Sequence, residues 1–393
     1  MWELELTGLF RIPFFLFIPL LIIPACSTKR PLEREVMIPP CVGTVRERVD
    51  WRDERAREAE APGMFYTIAS WQGFKKAACS LAFDDGTLDQ YVLAFPELQK
   101  RKLKATFFLI TRYRKRGYWN DGETKRRLFS WDQARQIREA GHEIGSHTRT
   151  HADLKKKKEL VRWEMVGSLS RLKREIPSLE GVTFAWPYWR NSEESKKIAA
   201  EYYLAARAGT GLVKNYGSMF ETRKINLFSV DSLGMRGGQQ NQPWQLQSER
   251  VYREGGWVVL CFHGIDDRRI EREWLGWDPI KIHQFRETLD SVESANFWIA
   301  PFGTVTRYIR EKNEAVLSLV DTGEDHLVFS LEDGLDDIVY NEPLSIEIEI
   351  PRRFSRLRVS QRRETIPHKI KGNGNIVFDA LPDGCPIYIE SIE

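Results

Sequence analysis

The chain has 393 residues, 42% of them hydrophobic and 29% charged, the composition of a folded protein long enough for a large catalytic domain plus a smaller one. Its 59 basic and 56 acidic residues leave a net charge of +3, a balance that points neither to nucleic acid nor to an acidic polymer as partner. The five cysteines form no CxxC pair, which argues against a cysteine metal site and against a disulfide scaffold.

Residues 12–23 are almost all apolar and lead into Ile23-Pro24-Ala25-Cys26-Ser27. That stretch is short for a membrane span. Its ending resembles a bacterial lipoprotein signal, in which Cys26 becomes the lipidated N-terminus. The expectation is an exported lipoprotein of the cell envelope, attached to the membrane through residues 1–26; the alternative is an uncleaved anchor. Residues 27–63 are rich in charge and proline and read as a solvated tether.

From residue 64 apolar runs alternate with helical patterns. Strands are expected at 77–83, 105–110, 142–145, 182–186, 203–206, 227–230, 256–262 and 297–300, with helices at 91–102, 131–140, 160–176, 192–201 and 280–295 between them. Short apolar strands separated by helices imply parallel βα units, and their number implies an α/β barrel over residues 64–312. Active sites of such barrels lie at the C-terminal ends of the strands. Asp84, Asp85, His147, Pro187, Asp231 and His263 all fall just after an expected strand. Beyond residue 312 the period becomes two, as in Leu344-Ser345-Ile346-Glu347-Ile348. Residues 313–393 therefore read as a small antiparallel β domain with one buried and one wet face.

Two adjacent carboxylates, Asp84 and Asp85, and two histidines four apart, His147 and His151, supply three metal ligands and leave one carboxylate over as a base. On a helical turn the two histidines would share a face. In the Val258–Phe262 strand, alternation puts Val259 and Cys261 on the same face as the following His263, a position suited to a general acid.

Ala82-Phe83-Asp84-Asp85-Gly86, His147-Thr148-Arg149-Thr150-His151, Trp186-Pro187-Tyr188 and Cys261-Phe262-His263 resemble, in order, motifs of the polysaccharide deacetylases, the NodB-homology domain of carbohydrate esterase family four. The resemblance covers residues 64–312. It implies a distorted (β/α)7 barrel and a divalent ion, zinc first and cobalt, nickel or iron next, held by Asp85, His147 and His151. It implies Asp84 as the base that deprotonates water at the metal and His263 as the acid that protonates the leaving group. The Tyr188 amide would stabilise the oxyanion, and an acetylated oligo- or polysaccharide would be the substrate. This chain departs from the family in four places. Ala185 stands where the family has an arginine that pairs with the base, with Arg149 and Arg190 as candidate replacements. Trp189 stands where glycine is common and Cys261 where leucine lines the acetyl pocket, while Asp231 matches its motif only weakly. Loss of the arginine leaves an alternative, a non-catalytic glycan-binding lipoprotein. A glycosidase would need two free carboxylates flanking a sugar, which a metal-ligating Asp85 does not leave.

Overall fold

The computed structural model describes residues 64–209, 225–237, 242–354 and 356–392. Residues 1–63, with the Cys26 signal and the charged tether, lie outside the described residues. No described helix is long and apolar enough to cross a membrane.

Seven parallel strands form the central sheet. Their order is Ala206–Arg207, Phe184–Ala185, Glu143–Ser146, Thr106–Leu109, Ala78–Phe83, Trp257–Phe262 and Leu233–Met235. Every pairing along this path is parallel. A short eighth strand, Trp298–Ile299, pairs with Ala78 and Cys79, beside the Ala82–Phe83 half that takes Thr106 and Phe107. A parallel bridge from Arg207 to Val230 joins the Ala206–Arg207 edge to the segment that leads into Leu233–Met235. The sheet thus curls into the distorted (β/α)7 barrel expected from the sequence. Ala78–Phe83 and Trp257–Phe262 are buried at every position, which is why they show no alternation: both faces of these strands are covered. Between the strands run Trp131–Glu139, Val161–Glu175, Glu193–Tyr202 and Ile282–Ser294. Ser130 caps the first of these in a reciprocal capping box with Gln133.

Several details differ from the sequence reading. Residues 227–230 form no strand beyond the Val230 bridge. Asn226 accepts the Phe228 amide on its side chain and the Ser229 amide on its carbonyl, so the chain turns there and the strand starts at Leu233. A further helix, Phe302–Glu314, follows Pro301. The C-terminal region holds two antiparallel sheets, and Leu344–Ile348 is buried on both faces. Its polar positions are satisfied inside: Glu347 binds Lys371 and Asn375, and Ser345 Oγ donates to Asp379 while accepting the Gly73 amide. That strand also pairs with Tyr66–Ile68, so the chain just before the barrel completes a C-terminal sheet. The described residues fall within one compact unit.

Candidate functional site

Asp84 and Asp85 leave the end of the Ala78–Phe83 strand in a sharp reversal. Asp85 and Gly86 both take left-handed φ, 70° and 71°. A Cβ on Gly86 would lie 2.0 Å from Arg114 Nη2, so glycine is required by space as well as by conformation. Arg114 is buried and donates to the carbonyls of Asp85, Gly86 and Phe129. Gln90 Nε2 donates to the carbonyls of Asp84 and His263, tying two strand ends together. Neither Arg114 nor Gln90 was singled out from the sequence, because both act on backbone carbonyls across the fold.

His147 and His151 do not sit on a helical turn. They lie in a loop in which Thr148 and His151 adopt φ of 66° and 65°, and the His151 amide donates to Thr148 Oγ1 at 2.8 Å. Buried Glu164, on the Val161–Glu175 helix, accepts the amides of Arg149 and Thr150 and the Thr150 hydroxyl. The loop is shaped by this carboxylate, and the imidazoles converge for that reason.

The result is a cluster of Asp85, His147 and His151 whose ligand atoms lie within 4.8 Å of one another. His147 Nε2 and His151 Nε2 each stand 3.6 Å from Asp85 Oδ1. Ligands about 2.1 Å from a tetrahedral ion are separated by about 3.4 Å, so the spacing fits a divalent cation. One buried atom supports the fit: Asp85 Oδ1, which faces both Nε2 atoms, has no hydrogen-bond partner, a costly state for a buried polar group unless a cation or a ligand completes it. Burial, then the neighbouring Asp84 charge, pushes the Asp85 carboxyl up to about 8. Burial pushes His147 down to about 3, and burial followed by the His147 charge holds His151 well below the usual range. Neutral imidazole is the ligating form. His147 Nδ1 lies 2.9 Å from the Ala185 carbonyl, so it carries the proton and leaves the Nε2 lone pair facing Asp85.

Asp84 belongs to a second cluster with Cys261 and His263. His263 Nε2 is 3.6 Å from Asp84 Oδ2, and the Cys261 thiol donates to the same oxygen at 3.5 Å. Burial lowers His263 to about 4. The counter-ion of Asp84 is Arg207, fully buried, which donates to Asp84 Oδ2 and also to Ser232 Oγ and the Ala208 carbonyl. Neither sequence candidate takes that role. The Arg149 guanidinium lies over the Trp163 ring at 4.3 Å, and Arg190 pairs with Asp153 at 2.7 Å. Ala185 and Arg207 are register partners on adjacent strands, so the guanidinium reaches Asp84 from the next strand along. The sequence signal was present but weak: an arginine directly after the expected 203–206 strand.

Pro187, Tyr188 and Trp189 form a tight turn in which Tyr188 and Trp189 have φ of 55° and 60°, a conformation that explains why glycine suits the position of Trp189. The Tyr188 ring is 54% exposed and 4.7 Å from that of His151. Trp186 is fully buried and donates to the Phe228 carbonyl at 3.0 Å, a packing role. Asp231 is buried beside Val230 at the same end of the barrel. Trp119 closes over His151 at 4.8 Å.

A sequence model of the polysaccharide deacetylases matches residues 72–206. A gellan lyase of Bacillus sp is 25% identical in an alignment 343 residues long that covers 80% of this chain and 13% of that protein; the chain thus spans a small part of that relative. Among solved structures, a putative polysaccharide deacetylase from Mycobacterium smegmatis is 15% identical with a TM-score of 0.46, over 65% of this chain and 98% of that one. A Streptococcus pyogenes deacetylase in complex with acetate is 23% identical with a TM-score of 0.35, over 43% and 69% of the two chains. A family-four pseudoenzyme from Bacillus anthracis is 16% identical with a TM-score of 0.39, over 59% and 66%. The matched segment carries Asp84, Asp85, His147, His151 and the Tyr188 turn, and over that segment this chain is similar to the polysaccharide deacetylases.

Proposed function

We propose that the protein is a metal-dependent hydrolase that removes acetyl groups, as amide or ester, from a carbohydrate. The observation that carries this reading is the pairing of two clusters, Asp85–His147–His151 and Asp84–Cys261–His263, on neighbouring strand ends. Two imidazoles and one carboxylate favour zinc, with cobalt, nickel or iron as alternatives. Such an ion supplies Lewis-acid chemistry, acidifying water and polarising a carbonyl. Asp84, paired with Arg207, takes the proton from the attacking water. The new C–O bond forms at the acetyl carbon, and the Tyr188 amide donates to the developing oxyanion. His263, neutral at rest, takes that proton from Asp84, whose Oδ2 lies 3.6 Å from its Nε2, and delivers it to the departing nitrogen or oxygen, so the C–N or C–O bond breaks and acetate leaves. The non-catalytic alternative drew its support from the missing arginine at Ala185, and Arg207 removes that ground.

The test is acetate release by the purified protein from N-acetylglucosamine oligomers, peptidoglycan and acetylated xylan, with and without chelator. Asp84→Asn should lower release by about 100-fold or more while the bound metal, counted by mass spectrometry, stays constant. Release unchanged in this variant would remove Asp84 as the base. Failure of every substrate with metal bound would favour a binding protein. For location we propose export with lipid attachment at Cys26, on the apolar segment and the small residue that precede it. Globomycin-sensitive processing of the full chain would check it.

A further inference from the structure

The proposed reaction gives no task to Arg236, at the mouth of the barrel. Arg236 follows the Leu233–Met235 strand, and Met235 is the register partner of Phe262. Arg236 and His263 are therefore adjacent positions at the ends of two parallel strands. The Arg236 guanidinium carbon stands 5.4 Å from the Trp189 ring centroid and 5.0 Å from that of Trp277. Trp277, itself 40% exposed, meets the His263 ring edge-on at 5.3 Å. Among the described residues no carboxylate pairs with Arg236; Asp278, next to Trp277, accepts the Gly237 amide.

The arrangement is built into the backbone. A Cβ on Gly209 or Gly234 would meet the Trp189 ring at 2.6 Å or 2.7 Å, so these two glycines make the space in which Trp189 lies. Indole faces hold a guanidinium flat by cation–π attraction and leave its N–H edge open. That edge is a planar fork matched to a carboxylate, and an exposed indole is a surface on which a sugar ring stacks. Exposed Lys155, Lys156, Lys157 and Lys158 make no ion pair among the described residues. Their loop is joined to the Tyr188 turn through Asp153 and Arg190. The net charge of +3 hides this local placement.

We propose that Arg236, with Trp189 and Trp277, forms a subsite for the carboxylate of an acidic sugar in the glycan, beside the sugar that carries the acetyl group. This inference names the substrate class and rests on the deacetylase reading. The test is calorimetric titration of the metal-loaded full chain with three probes: oligogalacturonate, a neutral xylo-oligosaccharide of equal length, and polyglutamate, which has carboxylates but no sugar ring. The expected result is that oligogalacturonate binds about tenfold or more tightly than either of the others, and that Arg236→Gln erases the margin. Lys155→Gln with Lys156→Gln should leave it. Arg236→Met, which keeps an apolar stem between the indoles, gives the same reading if the Gln variant folds poorly. Equal binding of all three probes overturns the subsite, and so does polyglutamate matching oligogalacturonate. An equal loss for both sugars in Arg236→Gln reduces Arg236 to a spacer between the indoles and also overturns it. Because binding is read without turnover, acetate release measured in parallel separates the two ideas. A lost margin with release intact sinks the subsite alone, while a margin without release sinks the deacetylase.

Discussion

Asp84 and Asp85 are adjacent and equally buried, and their neighbours make them different. Asp85 faces two neutral imidazoles, an arrangement that a cation completes. Asp84 faces an arginine, a thiol and a third imidazole, the arrangement on which the proposed proton transfer rests. The Asp84–Arg207 pair is fully out of water, so deleting one partner strands a buried charge. Arg207→Met is expected to cost about 3–5 kcal/mol of stability in urea unfolding. Combining it with Asp84→Asn should cost less than the sum of the two single changes. Strict additivity in that double-mutant cycle would show that the two side chains do not interact.

At the scale of the element, the histidine loop depends on a residue outside the motif. Glu164 holds two loop amides and the Thr150 hydroxyl from a helix, so Glu164→Gln keeps the shape but weakens acceptors that bind as a carboxylate. Metal affinity is expected to fall about 10- to 100-fold, as for other groups that orient ligands; competition with a chromophoric chelator measures it. A second histidine sets acid stability. His142 is buried against the rings of Phe95 and Phe107, its Nδ1 accepts the Ala105 amide, and its Nε2 meets Gln99 Oε1. Burial, then the Lys104 charge, lowers it to about 4 from an ordinary 6.5. The unfolded chain thus takes up a proton below 6.5 that the folded chain refuses until about 4. The stabilisation is complete above the upper value and is lost as pH falls toward the lower one, by on the order of 3 kcal/mol. His142→Asn, which retains an acceptor for the Ala105 amide, should show a shallower loss between those limits in urea titrations; an identical slope would exclude His142 as the source.

For the whole molecule, the barrel and the C-terminal sheets share structure. Tyr66–Ile68 needs Leu344–Ile348 as its partner, Tyr308 Oη donates to the Ala69 carbonyl, and the Gly73 amide donates to Ser345 Oγ. Tyr308 is itself part of the C-terminal apolar core. A 64–312 fragment is therefore expected to lose near-ultraviolet circular dichroism and cooperative melting; a sharp melt from that fragment would make the C-terminal sheets a separable module.

The barrel and most of the site could be read from the sequence because their signals are local. Apolar runs such as 78–83 and 257–262 mark doubly covered strands, and the Asp-Asp-Gly and histidine motifs follow strands directly. That was enough to bring the Asp84-Asp85 pair together with His147 and His151 and to place His263 at a neighbouring strand end; which aspartate faces the histidines was implied only by the family resemblance. What the sequence did not fix depends on contacts between residues far apart. The partner of Asp84 is 123 positions away on a neighbouring strand. The carboxylate that shapes the histidine loop lies on a helix, and the strand that completes a C-terminal sheet precedes the barrel. Periodicity and turn chemistry report how each residue relates to its chain neighbours; which guanidinium reaches which carboxylate is decided by strand order and curl, and these exist only once the sheet has closed.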